Sequence, residues 1–116
     1  MKVSVVLPTY NERENIVDLI ERLSNVFAHL NLDYEIVIVD DNSPDGTADV
    51  IREHCSLVHR PIKLIVRVNE KGLATAIRAG IHNATGDVIV LMDADFSHDP
   101  DDVRELLNYR AAFDFV

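Results

Sequence analysis

Short apolar runs alternate with longer amphipathic segments along the whole chain. Four runs, near residues 3–7, 34–39, 62–68 and 88–92, have the length and the β-branched content of buried strands. Between the runs, apolar residues recur at helical spacing, most clearly at Ile16, Leu19, Ile20, Leu23, Phe27 and Leu30. The pattern predicts alternating strands and helices, with a fourth helix opening at residues 99–102 and a fifth strand beginning at Phe113.

The predicted strands are continuous apolar runs, and such strands are typical of a parallel sheet covered on both faces. The chain is therefore predicted to be α/β, with a Rossmann-like, mostly parallel layered sheet in one domain over residues 1–116. Because residues 113–116 have the character of a strand that has only begun, we expect the chain to be truncated in strand five. We also expect the incomplete sheet edge to favour self-association.

Three local signals predict where the helices begin and end. Asn11 with Glu14 resembles a capping box at the start of the first helix. Ser43 is the predicted N-cap of the second helix, with Pro44 at its first position. Gly86 is predicted to stop the third helix.

Composition and charge exclude several classes of function. Apolar residues make up 47% of the chain and charged residues 27%, so it is globular rather than disordered. A net charge of −9 is unsuited to a nucleic-acid partner or to a polybasic membrane module. Cys55 is the single cysteine and no apolar run approaches the length of a membrane span, so a cytoplasmic location is expected.

Polar residues follow each predicted strand, where parallel sheets bind their ligands. These segments are residues 8–12, 40–43, 69–72 and 93–95. Lys71 and Gly72 could meet a phosphate at a helix start, although neither glycine-rich phosphate-binding motif is present.

Asp93 and Asp95 are the most informative pair. Two carboxylates one residue apart, on a chain leaving a buried strand, can both turn toward one hard cation such as Mg²⁺ or Mn²⁺. A capped turn at a solvated strand end explains the same spacing. The apolar run before the pair and the acidic pair after strand two favour the metal.

The residues after the first two strands suggest a nucleotide. Asp40 and Asp41 are adjacent, so they point to opposite sides and at most one faces a ligand. A carboxylate here either accepts hydrogen bonds from a base or ribose, or caps a turn. Tyr10 can stack on a base or close the sheet edge. Glu12 is a second residue that can hydrogen-bond to the base, or an acidic residue in the first turn of the helix, where the helix dipole favours negative charge.

Four motifs resemble those of inverting GT-A glycosyltransferases of family 2. They are VSVVLPTYNE at residues 3–12, VIVDDNSPD at 37–45, NEKGL at 69–73 and MDADFSH at 92–98. The last is similar to the D-x-D motif of the dolichyl- or polyprenyl-phosphate mannosyltransferase branch. The resemblance covers essentially the whole chain.

The resemblance implies metal-dependent, inverting transfer of mannose from GDP-mannose to dolichyl or polyprenyl phosphate. The residues implied to line the nucleoside pocket are Pro8, Tyr10, Glu12, Val39 and Asp41. Those implied to meet the diphosphate and the Mg²⁺ or Mn²⁺ ion are Asp93, Ala94 and Asp95, with Asp95 the firmest metal ligand and the catalytic residue. The acceptor-binding half would lie beyond Val116, and the full-length protein could work at the cytoplasmic face of a membrane.

Two other functions remain open at this point. A phosphoacceptor, receiver-like signalling domain is also a small α/β module with acidic strand ends, although its acidic pair would follow strand one. A non-catalytic nucleotide-binding module is the second. Binding of a GDP-sugar rather than acetyl phosphate separates the glycosyltransferase from the receiver, and activity of the full-length chain separates it from the module.

Overall fold

A computed structural model describes residues 1–94 and residue 100 of the chain, and in these residues strands and helices alternate. The elements are β1 (Lys2–Thr9), α1 (Ile16–Leu30), β2 (Asp33–Asp40), α2 (Thr47–Leu57), β3 (Ile62–Val66), α3 (Leu73–Asn83) and β4 (Val88–Leu91). The order predicted from the apolar runs is confirmed through β4. The predicted fourth helix and fifth strand lie outside the described residues.

The four strands form one parallel sheet in the order β3-β2-β1-β4. Val5 is paired with Ile36 of β2 on one side and with Val90 of β4 on the other. Alternate β1 residues serve opposite faces: Val5 packs in the core with α1, whereas Val6 packs with Ala76 of α3. Both faces of the central strands are therefore covered, which is why those strands are continuously apolar.

Helix α1 supplies the larger core because its apolar stripe is complete. Five of the six positions that the helical spacing predicted are fully buried, at Ile16, Leu19, Ile20, Leu23 and Phe27, whereas Leu30 is half-buried at the end of the helix. The Phe27 ring stacks on Tyr34 of β2, with 4.8 Å between ring centroids. Helix α1 is followed by Asn31 in the left-handed conformation, which allows the last carbonyl groups to be satisfied.

The predicted capping box at the start of α1 is wrong. The helix begins at Ile16, and Asn15 rather than Asn11 is its N-cap. Asn11 adopts a φ of 56°, and its backbone N–H donates to the Ser43 Oγ at 2.9 Å. A tertiary bond to the next loop therefore takes the place of a local cap.

The predicted start of α2 is wrong as well. The helix begins at Thr47, after Gly46 with a φ of 87°, so Ser43 and Pro44 precede it. The backbone N–H of Ser43 donates to the Asp40 carboxylate at 2.9 Å. This contact holds Ser43 in a turn that leaves β2, and the chain reaches the helix only after that turn.

Gly86 does not stop α3, which ends at Asn83 and is followed by Ala84 in an extended conformation. The backbone N–H of Gly86 instead donates to the Ser4 Oγ at 2.8 Å. A Cβ at Gly86 would lie 2.6 Å from that oxygen and 2.9 Å from the Lys2 carbonyl oxygen. Glycine is needed here because the loop into β4 passes directly against β1.

Gly86→Ala is therefore expected to lower the free energy of unfolding by about 1–3 kcal/mol, the usual cost of forcing atoms into a filled space. Urea unfolding measures the change. His82→Ala, at an exposed position on α3, is the control and should change stability by less than about 0.5 kcal/mol. Equal stability of Gly86→Ala and the wild type would show that β1 and the loop can separate without cost.

No helix within residues 1–94 has the length and apolar character required to span a bilayer.

Candidate functional site

The carboxyl ends of β1, β2 and β4 meet at one edge of the sheet. Pro8 is in register with Val39, and the Asp41 backbone N–H donates to the Thr9 carbonyl at 3.2 Å. On the other side of β1, the Met92 N–H donates to the Val6 carbonyl at 3.2 Å, which places Asp93 at the same edge. The loops that carry Tyr10, Glu12, Asp41 and Asp93 therefore leave neighbouring strands side by side.

Asp40 anchors the turn that follows β2. Its carboxylate is fully buried and accepts hydrogen bonds from the Thr9 hydroxyl at 2.7 Å and the Ser43 hydroxyl at 2.6 Å. The backbone N–H of Ser43 supplies a third bond. Asp40 thus holds the ends of two loops together and has no surface to offer a ligand.

Asp41 points to a different set of partners, as the alternation along the chain predicts. Its Oδ1 lies 2.7 Å from both Nε and Nη2 of Arg67, and its Oδ2 accepts the Gly72 backbone N–H at 3.1 Å. Gly72 is the N-cap of α3, so the Asp41 charge faces the positive end of that helix. The Gly72 N–H is therefore already bonded within the protein, and a phosphate contact at this helix start stays a prediction.

Arg67 is the residue that the sequence analysis missed. It follows β3 directly and its side chain is only 8% exposed. It donates to the Thr75 hydroxyl at 2.7 Å and to the Gly72 carbonyl at 2.9 Å, so it joins α3 to the sheet edge. The available signal was an arginine at the end of an apolar strand, a position where burial requires a charged partner.

Tyr10 and Glu12 lie in the loop between β1 and α1. Tyr10 is 51% exposed, which leaves its ring available to a ligand. Glu12 is half-buried and its backbone is held in place: its N–H donates to the Thr47 hydroxyl at 3.1 Å and its carbonyl accepts the Ile16 N–H at 2.9 Å. Its carboxylate accepts a bond of 3.3 Å from the Asn15 amide.

Asp45 holds this loop against the loop after β2. It accepts the Arg13 backbone N–H at 3.2 Å and the Thr47 backbone N–H at 3.0 Å. Burial raises the pKa of Asp45, but the hydrogen bonds from Thr47 and Arg13 outweigh it and keep that pKa below its ordinary value. Asp45 is thus ionised at neutral pH and keeps the two loops that carry Tyr10, Glu12 and Asp41 together.

Three further predicted site residues lie deeper. Val39 is fully buried beneath α3 and packs with Val6 and Ala76. Ala94 is buried in the core on the opposite face, and Pro8 is half-buried at the end of β1. Their contribution to a ligand site stays a prediction.

Asp93 is the described member of the predicted metal-binding pair. It is exposed just past β4, at the edge where Asp41 also lies, and its carboxylate has the oxygen chemistry that Mg²⁺ and Mn²⁺ prefer. Asp95 lies outside the described residues, so the pair itself stays a prediction. Within residues 1–94 and residue 100, no cluster of three or more His, Cys, Asp or Glu side chains could hold a metal ion.

Comparison with known proteins agrees with the motifs. The profile of glycosyl transferase family 2 matches residues 4–114. Over 107 residues the chain is 50% identical to a dolichol-phosphate mannosyltransferase from Pyrococcus furiosus, covering 92% of this chain and 29% of the relative. It is 36% identical over 105 residues to an undecaprenyl-phosphate 4-deoxy-4-formamido-L-arabinose transferase from Pseudomonas fluorescens, covering 90% and 31%. The chain thus spans about a third of the length of these curated relatives.

Solved structures with the same arrangement include a mannosyltransferase from Pyrobaculum calidifontis in complex with GDP-Man and Mn²⁺. It is 29% identical, with a TM-score of 0.72 over 94% of this chain and 32% of that one. A glucosyl-3-phosphoglycerate synthase from Mycobacterium tuberculosis, in complex with Mn²⁺ and UDP among its ligands, has a TM-score of 0.71 at 23% identity, covering 92% and 38%. At that identity the second likeness concerns the fold alone.

Proposed function

This chain belongs to glycosyl transferase family 2 and has the GT-A fold, and from that premise we propose that its protein transfers mannose from GDP-mannose to a dolichyl or polyprenyl phosphate. The observation that carries the proposal is the 50% identity to a dolichol-phosphate mannosyltransferase over 92% of the chain. The polar edge at the ends of β1, β2 and β4 is where the donor would bind, as ligands do in parallel α/β sheets.

The groups at this edge suit a guanine nucleotide. A guanine base presents N–H donors on its Watson–Crick edge, and Glu12 and Asp41 offer carboxylate acceptors from adjacent loops. Tyr10 is exposed enough to stack on the face of the base. The GDP-Man complex of the Pyrobaculum mannosyltransferase supports the same donor.

The names of the relatives support a polyprenyl phosphate as the acceptor. The Pyrococcus and Pseudomonas relatives are named for different sugars, but both names include a polyprenol phosphate. Such a phosphate monoester is mostly ionised near neutral pH, so it is a nucleophile that needs positioning more than a general base. No residue of this chain is therefore assigned as the base, and direct attack on the anomeric carbon would invert it. Because the acceptor is a lipid, the reaction would take place at a membrane surface.

Asp93 and Asp95 would hold a divalent cation beside the donor diphosphate. When bound, such an ion offsets the negative charge that develops on the GDP leaving group. The Mn²⁺ in the Pyrobaculum structure supports a divalent ion, either Mg²⁺ or Mn²⁺. Self-association through the incomplete edge of the sheet also stays a prediction.

A transfer assay on the full-length chain tests the activity. With GDP-mannose, dolichyl phosphate and Mn²⁺, we expect a mannosylated polyprenyl phosphate, and little or none with a UDP-sugar. GDP-mannose binding without any transfer would favour the non-catalytic nucleotide-binding module. The receiver-like alternative is set aside, because the family profile covers residues 4–114.

Variants of the two carboxylates test the nucleotide pocket. Glu12→Ala and Asp41→Ala are each expected to weaken GDP binding by about 1.5–3 kcal/mol, because each removes a charge-assisted hydrogen bond. Calorimetric titration of GDP measures the change. Glu14→Ala, at an exposed position two residues from Glu12, is the matched control and should bind GDP like the wild type. Unchanged affinity in both pocket variants would remove the assignment of this pocket.

A further inference from the structure

Arg67 is a buried cation that the proposed reaction does not yet use. It lies behind Asp41, between the end of β3 and the first turn of α3, and both side chains of the pair are largely withdrawn from water, at 8% and 13% exposure. Resting on the proposed function, we propose that Arg67 is a positioning residue for the donor nucleotide and that it acts through Asp41.

The hydrogen bonds of Arg67 indicate why it would act indirectly. A guanidinium carries five N–H donors. Nε and Nη2 face Asp41 Oδ1, Nη2 also donates to the Gly72 carbonyl, and Nη1 donates to the Thr75 hydroxyl. The remaining contact of Nη1 is a longer one, 3.5 Å to the exposed Glu70. The protein thus occupies the donors that a ligand would need.

The same contacts determine what Asp41 can offer. A carboxylate has about four lone-pair positions, two on each oxygen. Arg67 faces Oδ1 with two nitrogens and the Gly72 N–H occupies one position on Oδ2. Among the described residues, Oδ2 therefore keeps acceptor capacity for a ligand, on a carboxylate that Arg67 holds in place through Oδ1. A base with two adjacent N–H donors would then need a second acceptor, and Glu12, on the loop after β1, would be that acceptor.

Arg67 also connects the pocket to α3. Thr75 and the Gly72 carbonyl receive its other short hydrogen bonds, and Thr75 in turn lies 3.2 Å from the Gly72 carbonyl. Loss of the guanidinium would release Asp41 and the start of α3 together. Arg67→Lys keeps the charge but loses the planar fork of the guanidinium, so it should keep only part of the wild-type affinity for GDP.

A double-mutant cycle on the full-length chain, with GDP affinity measured by calorimetry, tests the proposal. We expect Arg67→Met to weaken GDP binding by about tenfold or more and Arg67→Lys by less. In an Asp41→Ala background, Arg67→Met should change the affinity by less than about twofold, because the group through which Arg67 acts is gone. The double variant also avoids leaving a buried charge unpaired.

The outcomes separate the two proposals. Absence of GDP binding by the wild type would defeat the nucleotide pocket and the role of Arg67 with it, whereas full affinity in Asp41→Ala alone would overturn the role of Arg67 and leave the rest of the pocket standing. If Asp41→Ala weakens binding and Arg67→Met weakens it again by its full factor in that background, Arg67 contacts the ligand or acts by general disruption, and only its positioning role is overturned. If Arg67→Met does not fold, Arg67→Lys takes its place in the same cycle. Full affinity in Arg67→Lys would then overturn the positioning role.

Discussion

Asp95→Asn is expected to abolish the linkage between divalent-metal binding and GDP-mannose binding, and to slow mannosyl transfer by roughly 100-fold or more. The amide keeps the shape of the side chain but removes a charged oxygen ligand. If the wild type binds metal and diphosphate together, each must raise the affinity for the other by the same factor. Calorimetry of GDP-mannose binding at several Mn²⁺ concentrations, on wild type and variant, measures that factor.

Two further variants make the result specific. Asp93→Asn should weaken the linkage less than Asp95→Asn, because we expect Asp93 to share its hydrogen bonds with the sugar or ribose. Asp49→Asn is the control, since the Asp49 side chain is 85% exposed on α2 and pairs with Arg52 of the same helix. A pair that merely caps a turn would lose some stability and leave the linkage unchanged. Wild-type affinity that is the same with Mn²⁺ and with a chelator would refute the metal role.

The second large effect concerns Glu35, a buried carboxylate far from the candidate site, near the start of β2. It accepts hydrogen bonds of 2.6 Å from the Ser4 hydroxyl and from the Thr85 backbone N–H, and Lys63 Nζ lies 3.0 Å away. Burial raises the pKa of Glu35, but the bonds from Ser4, Thr85 and Lys63 outweigh it and lower that pKa from 4.5 to about 2. The carboxylate thus ties the loop before β4 to two strands.

Glu35→Gln is expected to lower the free energy of unfolding by about 3 kcal/mol at neutral pH, since a shift from 4.5 to about 2 corresponds to roughly that energy. Because the pKa is lower in the folded state, this stabilisation is complete above about pH 5 and is lost as the pH falls toward 2. The variant should therefore differ most from the wild type at neutral pH and least near pH 2. Urea unfolding across this range measures the difference.

Two comparisons support the interpretation of that experiment. Glu53→Gln, at an exposed position on α2, should be neutral at every pH. Glu35→Gln should keep part of the acid sensitivity of the wild type, because a second carboxylate, Glu21, also has a lowered pKa. The bond from Arg60 lowers the pKa of Glu21 to about 2 despite partial burial. A constant gap between Glu35→Gln and wild type from pH 7 to pH 2 would show that packing, rather than the charge, accounts for the loss.

The fold was largely predictable because its signals are local. A run of β-branched residues indicates a buried strand without reference to distant parts of the chain. In the same way, the spacing of apolar residues from Ile16 to Phe27 defines the buried face of α1. The boundaries were less predictable, since they depend on contacts between loops. Asn11 and Ser43 resembled helix caps, but Asn11 bonds to Ser43, which itself bonds to the Asp40 carboxylate.

The sequence by itself determined the order of the elements, the parallel sheet and the polar residues that follow its strands, because these depend on the identity of near neighbours. Only the tertiary structure decided what each acid does. Asp40 is buried against Thr9, which is 31 residues away, and Asp41 is held by Arg67, which is 26 residues away. A hydrogen bond between distant residues depends on strand register and on burial. Neither register nor burial can be inferred from the fact that Asp40 and Asp41 are adjacent in the sequence.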